Sequence, residues 1–124
     1  MNILDEIVEQ RKKDISQKGY SLGFEIPENR TRKITPFLPK KGVILEVKRA
    51  SPSKGDIAPS LDAAQTALEY AKAKTSAISV LTEEHWFKGN LQDLKNVCNA
   101  LDEYASKNSV TPPAVLRKDF LISE

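Results

Sequence analysis

The sequence predicts an α/β fold: three parallel strands joined by two helices in the order β-α-β-α-β, behind a leading helix and an irregular connector. Three observations carry this. Short strand-like runs stand at VILEVK (43–48), SAISVLT (76–82) and PAVLRKD (113–119). Between them lie two segments with apolar residues at helical spacing. Strands joined by single helices pair in parallel through right-handed crossovers.

Each element follows from its residues. Residues 2–18 place Ile3, Leu4, Ile7, Val8 and Ile15 on one stripe, with Arg11 at the missing turn and Gly19 as a stop. From Tyr20 to Gly42 the pattern is broken by Pro27, Pro36 and Pro39, and basic residues gather at Arg30, Arg32, Lys33, Lys40 and Lys41. That stretch reads as an extended connector with one short helical turn. Residues 1–42 are thus a helical extension and connector, and residues 43–124 the regular βα part. VILEVK is nearly continuous in apolar character and reads as a buried strand. Ser60 can N-cap a helix from Leu61 to about Lys74, with Leu61, Ala64, Leu68 and Ala71 inward. SAISVLT is the second strand. Asn90 can cap a second helix to about Ser106, with Leu91, Leu94, Val97, Cys98 and Leu101 inward. PAVLRKD begins the third strand after Pro112.

Composition narrows the function classes. The 124 residues suggest one domain able to bury a core, and 40% hydrophobic with 29% charged residues is a globular balance. A net charge of +2 gives no argument for nucleic acid or an anionic membrane as partner. No apolar run approaches the ~20 residues of a membrane span, and the N-terminus lacks a signal-peptide core. The single cysteine, Cys98, fits a reducing compartment, so the cytoplasm is expected.

Side chains alternate faces along a strand. Val43, Leu45 and Val47 share a face suited to helices, and Ile44, Glu46 and Lys48 share the other. Ala114, Leu116 and Lys118 share a face in the third strand, as Ser79, Leu81 and Glu83 do in the second. Each strand is apolar at its start and gains an ionisable residue at its C-terminal end, the end where parallel α/β proteins bind ligands. A solvated strand end explains one such residue; three together point to a site. Lys48 and Lys118 would face one mouth beside Glu46. One lysine could serve as an acid and the other as a clamp for a carboxylate or phosphate, and the residues alone do not say which. The loop RASPSKGD offers hydroxyls, N–H groups and Lys54 to an anion. It lacks the Gly-x4-Gly-Lys-Ser/Thr pattern of a phosphate loop, and as a bare motif it reads equally as a turn. Trp86 and Phe87 form an aromatic pair in a polar loop, either an anchor to the core or a wall for a planar ring. His85 has no His or Cys partner in the sequence and reads as a solvated loop residue; no metal site is expected.

The stretches ILEVKRASPSKGDI, ISVLTEEHWFKGNLQDL and PAVLRKDFLI, with the leading ILDEIVEQRKKDI, resemble in order and spacing the N-terminal half of the indole-3-glycerol phosphate synthase family. Departures are small: Glu84 and Trp86 fall where the family varies, and Asn90 stands where Ser is commoner. The resemblance implies a (β/α)8 TIM barrel with an N-terminal helical extension. It implies a carboxy-lyase of tryptophan biosynthesis acting on 1-(2-carboxyphenylamino)-1-deoxyribulose 5-phosphate, with no metal or organic cofactor. By that resemblance Lys118 is the general acid. Lys48 holds substrate anions, and Glu46 positions the ammonium groups and steadies positive charge on the anilino nitrogen. Leu81, Phe87 and Phe120 line the ring pocket, and Ser51 and Ser53 belong to the mobile loop after the first strand.

A barrel of this kind needs about 250 residues. The chain is therefore expected to be a partial, truncated barrel that is inactive alone, and either self-associates or needs the C-terminal half. The rival readings are a non-catalytic half-barrel that self-associates and a related phosphate-sugar barrel enzyme. A flavodoxin-like sheet is the runner-up fold, although the cofactor loop it demands after the first strand is not seen.

Overall fold

The computed structural model describes residues 1–123. They fall into two compact units, one of Met1–Lys33 with the segment from Asp119, the other of Ile34–Lys118.

The smaller unit is built on helix α1 (Ile3–Lys18). Asn2 caps it by accepting the Asp5 N–H, Asp5 and Glu6 occupy the first turn and Lys18 the last, all favourable to the helix dipole. Gly19 ends it as expected, at φ 82°, where a side chain would strain the backbone. The buried stripe differs from the apolar pattern. Ile7, Arg11 and Asp14 are buried, whereas Ile3 and Leu4 are exposed. Arg11 earns its buried place through a partner distant in sequence: its Nη2 lies 2.5 Å from Asp119 Oδ1, and the Asp119 side chain has no solvent exposure. That carboxylate also accepts the Phe120 N–H at 2.8 Å. The expected helical turn in the connector is absent: residues 20–42 carry turns and bends but no helix.

The larger unit holds strands β1 (Ile44–Val47), β2 (Ala50–Ser51) and β3 (Gly55–Asp56), helix α2 (Ala63–Lys72), strand β4 (Ala77–Leu81), helix α3 (Leu91–Asn108) and strand β5 (Ala114–Lys118). β1, β4 and β5 form a parallel sheet in the order β1-β4-β5, and β2 and β3 pair as a small antiparallel hairpin. β4 is central and buried along its whole length. Val47, Ile78 and Val80 meet Ala63, Ala67 and Ala71 of α2 and Val97 and Leu101 of α3 in one core. The three alanines are the small, buried side chains through which α2 meets the core. They also correct two sequence expectations: the inward face is one residue out from Ala64 and Leu68, and the cap is Asp62 rather than Ser60. The Asp62 carboxylate accepts the Gln65 N–H, and its charge suits the positive end of the helix. Tyr70 then donates its hydroxyl to the Glu46 carbonyl at 2.9 Å, tying α2 to β1.

Asn90 caps α3 as expected, accepting the Asp93 N–H at 2.7 Å. The helix runs past Ser106 to Asn108 and stops where Ser109 turns left-handed at φ 53°. Cys98 is half-buried beside the stripe of Val97, Leu101 and Ala105, not part of it. Just before α3 the chain turns back against β4. A Cβ on Gly89 would lie 1.9 Å from the Leu81 carbonyl oxygen, so no larger residue fits without moving backbone. Gly89→Ala is expected to cost about 2–3 kcal/mol, an overpacking penalty, read as a lower urea midpoint with unchanged slope.

Candidate active site at the strand ends

The sheet register decides which polar groups meet. Glu46 pairs with Ser79, Ser79 with Leu116, and Leu81 with Lys118. Glu46, Ser79 and Lys118 therefore project from the same face, opposite the helices. Glu46 is the hub. Its Oε2 accepts from Lys118 Nζ and from the Ser79 hydroxyl, both at 3.0 Å, and its Oε1 lies 3.3 Å from Lys48 Nζ. The carboxylate is three-quarters buried, while 36% of the Lys48 side chain and 55% of Lys118 remain exposed. The expected enclosed mouth is thus open on the Lys118 side in the residues described. Ile44 and Leu116, on this same face, are also exposed.

Burial is the largest single influence on Glu46 and pushes its carboxyl up. The hydrogen bonds from Lys118 and Ser79, the Lys118 charge and the Lys48 bond together outweigh it and hold the group below its ordinary value of 4.5. Its linkage has a definite sign. The pairing contributes stability in full above the unfolded carboxylate's pKa and loses it as pH falls through the folded value. Between neutral pH and the acid limb below 4.5, wild type is therefore expected to lose more stability than Glu46→Gln, measured by urea unfolding at stepped pH.

The other expected site residues are placed as follows. Leu81 is buried at the end of β4 and Phe87 is half-buried in the following loop. Ser51 lies in the hairpin, where its Oγ accepts the Lys54 N–H at 3.2 Å, and Ser53 and Lys54 are exposed at the turn. Phe120 belongs to the smaller unit. Glu83 does not join Glu46 and the lysines. It is 2% exposed and spends its carboxylate on the backbone N–H groups of His85, Trp86 and Phe87. His85 is exposed, its ring edge-on to Trp86 at 6.0 Å.

Arg49, the residue after Lys48, is one that local sequence pattern does not mark. Its guanidinium grips both oxygens of Asp93, at 2.5 and 3.0 Å, and donates to the carbonyls of Leu61 and Lys88, each at 3.1 Å. The Asp93 bonds push the Arg49 value further up, against an opposing effect of burial. One side chain thus ties the end of β1 to the start of both helices and to the loop after β4. Asp93, a charge on the inward side of α3, was the available signal.

Comparison with known proteins bears on this constellation. The family model for indole-3-glycerol phosphate synthase matches residues 4–124. The chain belongs to the indole-3-glycerol phosphate synthase family. Indole-3-glycerol phosphate synthase of Aliarcobacter butzleri is 40% identical over 98% of this chain and 47% of that protein. The enzyme of Campylobacter jejuni subsp. jejuni is 37% identical over 98% of the chain and 48% of its own length. A multifunctional tryptophan biosynthesis protein of Phanerodontia chrysosporium is 43% identical over 98% of the chain and 17% of that protein. The chain spans about half the length of the curated indole-3-glycerol phosphate synthases it matches. Among the described residues no helix is long and apolar enough to cross a membrane.

Proposed function

We propose that this chain supplies the carboxylate and the two lysines of an indole-3-glycerol phosphate synthase. The reaction closes the ring of 1-(2-carboxyphenylamino)-1-deoxyribulose 5-phosphate and releases carbon dioxide and water. The observation that carries the reading is Glu46 holding Lys118 on one oxygen and Lys48 on the other. Glu46 keeps two ammonium groups together, and each can trade its Glu46 contact for a substrate atom. Lys118, the more exposed of the two, protonates the ribulose carbonyl oxygen as the ring carbon attacks. Lys48 holds the substrate's anionic groups. Glu46 orients both lysines and offsets positive charge on the anilino nitrogen. Leu81 and Phe87 line the ring pocket, and Ser51 and Ser53 belong to the loop that closes on substrate.

The same reading assigns β1, β4 and β5 to the first three strands of a (β/α)8 barrel, with residues 1–42 as the helical extension. Among the described residues β1 and β5 each have one unpaired edge, and Ile44 and Leu116 are exposed; further strands of the barrel would cover both. Turnover is therefore expected when residues 1–124 replace the matching region of the Aliarcobacter butzleri enzyme, and little from the 124 residues alone. The test is formation of indole-3-glycerol phosphate by each protein. A well-folded chimera without product, beside an active parent enzyme, would refute the reading.

A further inference from the structure

We propose that Glu83 is a positioning residue, which shapes the aromatic loop beside the strand ends by filling a backbone anion nest with its own carboxylate. What that loop does for substrate rests on the function proposed above; how it is held does not.

Glu83 is the second residue after β4 and is 2% exposed. Its Oε1 accepts the His85 N–H at 2.7 Å, and its Oε2 accepts those of Trp86 and Phe87 at 2.8 and 2.9 Å. Three successive N–H groups converging on one point form the concavity with which loops hold phosphates and carboxylates. Here the anion is built into the chain. The loop is closed at its other end as well. The Glu83 carbonyl accepts the Gly89 N–H at 2.9 Å, Lys88 turns left-handed at φ 59°, and Gly89 packs on the Leu81 carbonyl. The Lys88 carbonyl then accepts from Arg49, the neighbour of Lys48.

With its backbone fixed this way, the loop has little choice in where it presents the half-buried Trp86 and Phe87. Glutamine cannot replace the carboxylate. It keeps one acceptor oxygen and turns an NH2 donor toward the remaining N–H. Glu83 thus acts through Phe87, the ring wall, and its loss should weaken substrate binding more than it slows the chemical step.

Trp86 is the chain's only tryptophan and sits in this loop, so it reports directly on the nest. The experiment uses the full 124-residue chain as wild type, Glu83→Ala and Glu83→Gln, with circular dichroism to verify the fold. In Glu83→Ala the Trp86 emission is expected to shift to the red and its quenching by acrylamide to rise severalfold, with a smaller change in Glu83→Gln. Formate should reverse both changes in Glu83→Ala saturably, while chloride at equal ionic strength should not. Unchanged quenching in both variants, or formate acting no better than chloride, would overturn the proposal. If Glu83→Ala does not fold, Glu83→Gln decides, because it keeps the side-chain volume. In the chimera, Glu83→Gln should raise KM severalfold with a smaller fall in kcat; a fall in kcat alone would also overturn it. Absence of turnover in the unsubstituted chimera counts against the proposed function, and the Trp86 readings then decide the role of Glu83.

Discussion

Lys118→Ala, made in the chimera, is expected to lower kcat by about 10²–10⁴-fold, the usual worth of a positioned general acid. The change removes the most exposed ammonium of the cluster and leaves Glu46 with Ser79 and Lys48 as partners. The sheet should stay intact, because Lys118 is the last residue of β5 and its side chain is more than half exposed. Lys118→Arg should restore little. A guanidinium keeps its proton throughout the working pH range and is a poor donor to a carbonyl oxygen. Lys48→Ala is expected to act chiefly on KM, since that lysine holds anions. The same loss of kcat in both alanine variants, with KM unmoved, would mean that the acid and clamp assignments are wrong.

The second large effect concerns stability. Arg49→Ala is expected to cost about 3–5 kcal/mol, the range for removing one partner of a buried ion pair. Asp93, 6% exposed with Arg49 in place, would have its carboxylate stripped of both guanidinium bonds, and the Leu61 and Lys88 carbonyls would each lose a donor. Against a typical total of about 5–15 kcal/mol such a loss is severe. Arg49→Lys should recover only a small part, because one ammonium cannot reach four acceptors held in the plane of a guanidinium fork. Urea unfolding measures both; a loss below about 1 kcal/mol for Arg49→Ala would place the pair with weakly coupled surface charges.

Much of this was legible from short-range pattern. Apolar runs located β1, β4 and β5, and Asn90 marked the start of α3. Alternation puts Glu46 and Lys48 on one face of the first strand and Lys118 with Leu116 on one face of the third; the pairing through Ser79 and Leu81 makes these the same side of the sheet. Ser79 was placed on the matching face of its strand, but only the pairing with Glu46 shows that its hydroxyl serves that carboxylate. Alternation misled at Glu83 because it was carried two residues beyond Leu81, where β4 ends and the backbone turns. Arg11 with Asp119, and Arg49 with Asp93, are separated by 108 and 44 residues. Local spacing holds no trace of such pairs beyond a charge standing on a helix's inward side. Ser60 and Asp62 are both residue types that cap helices, so propensity alone does not choose between them; in the structure Asp62 caps α2.

The carboxylate shared by Lys118 and Lys48 can be watched without turnover. Titration of the Glu46 side-chain carbonyl by ¹³C NMR, in the chain as it stands, should give a value below the ordinary 4.5 that moves upward in both Lys118→Met and Lys48→Met. A Glu46 titration identical in wild type and both variants would show that the two lysines do not meet at that residue.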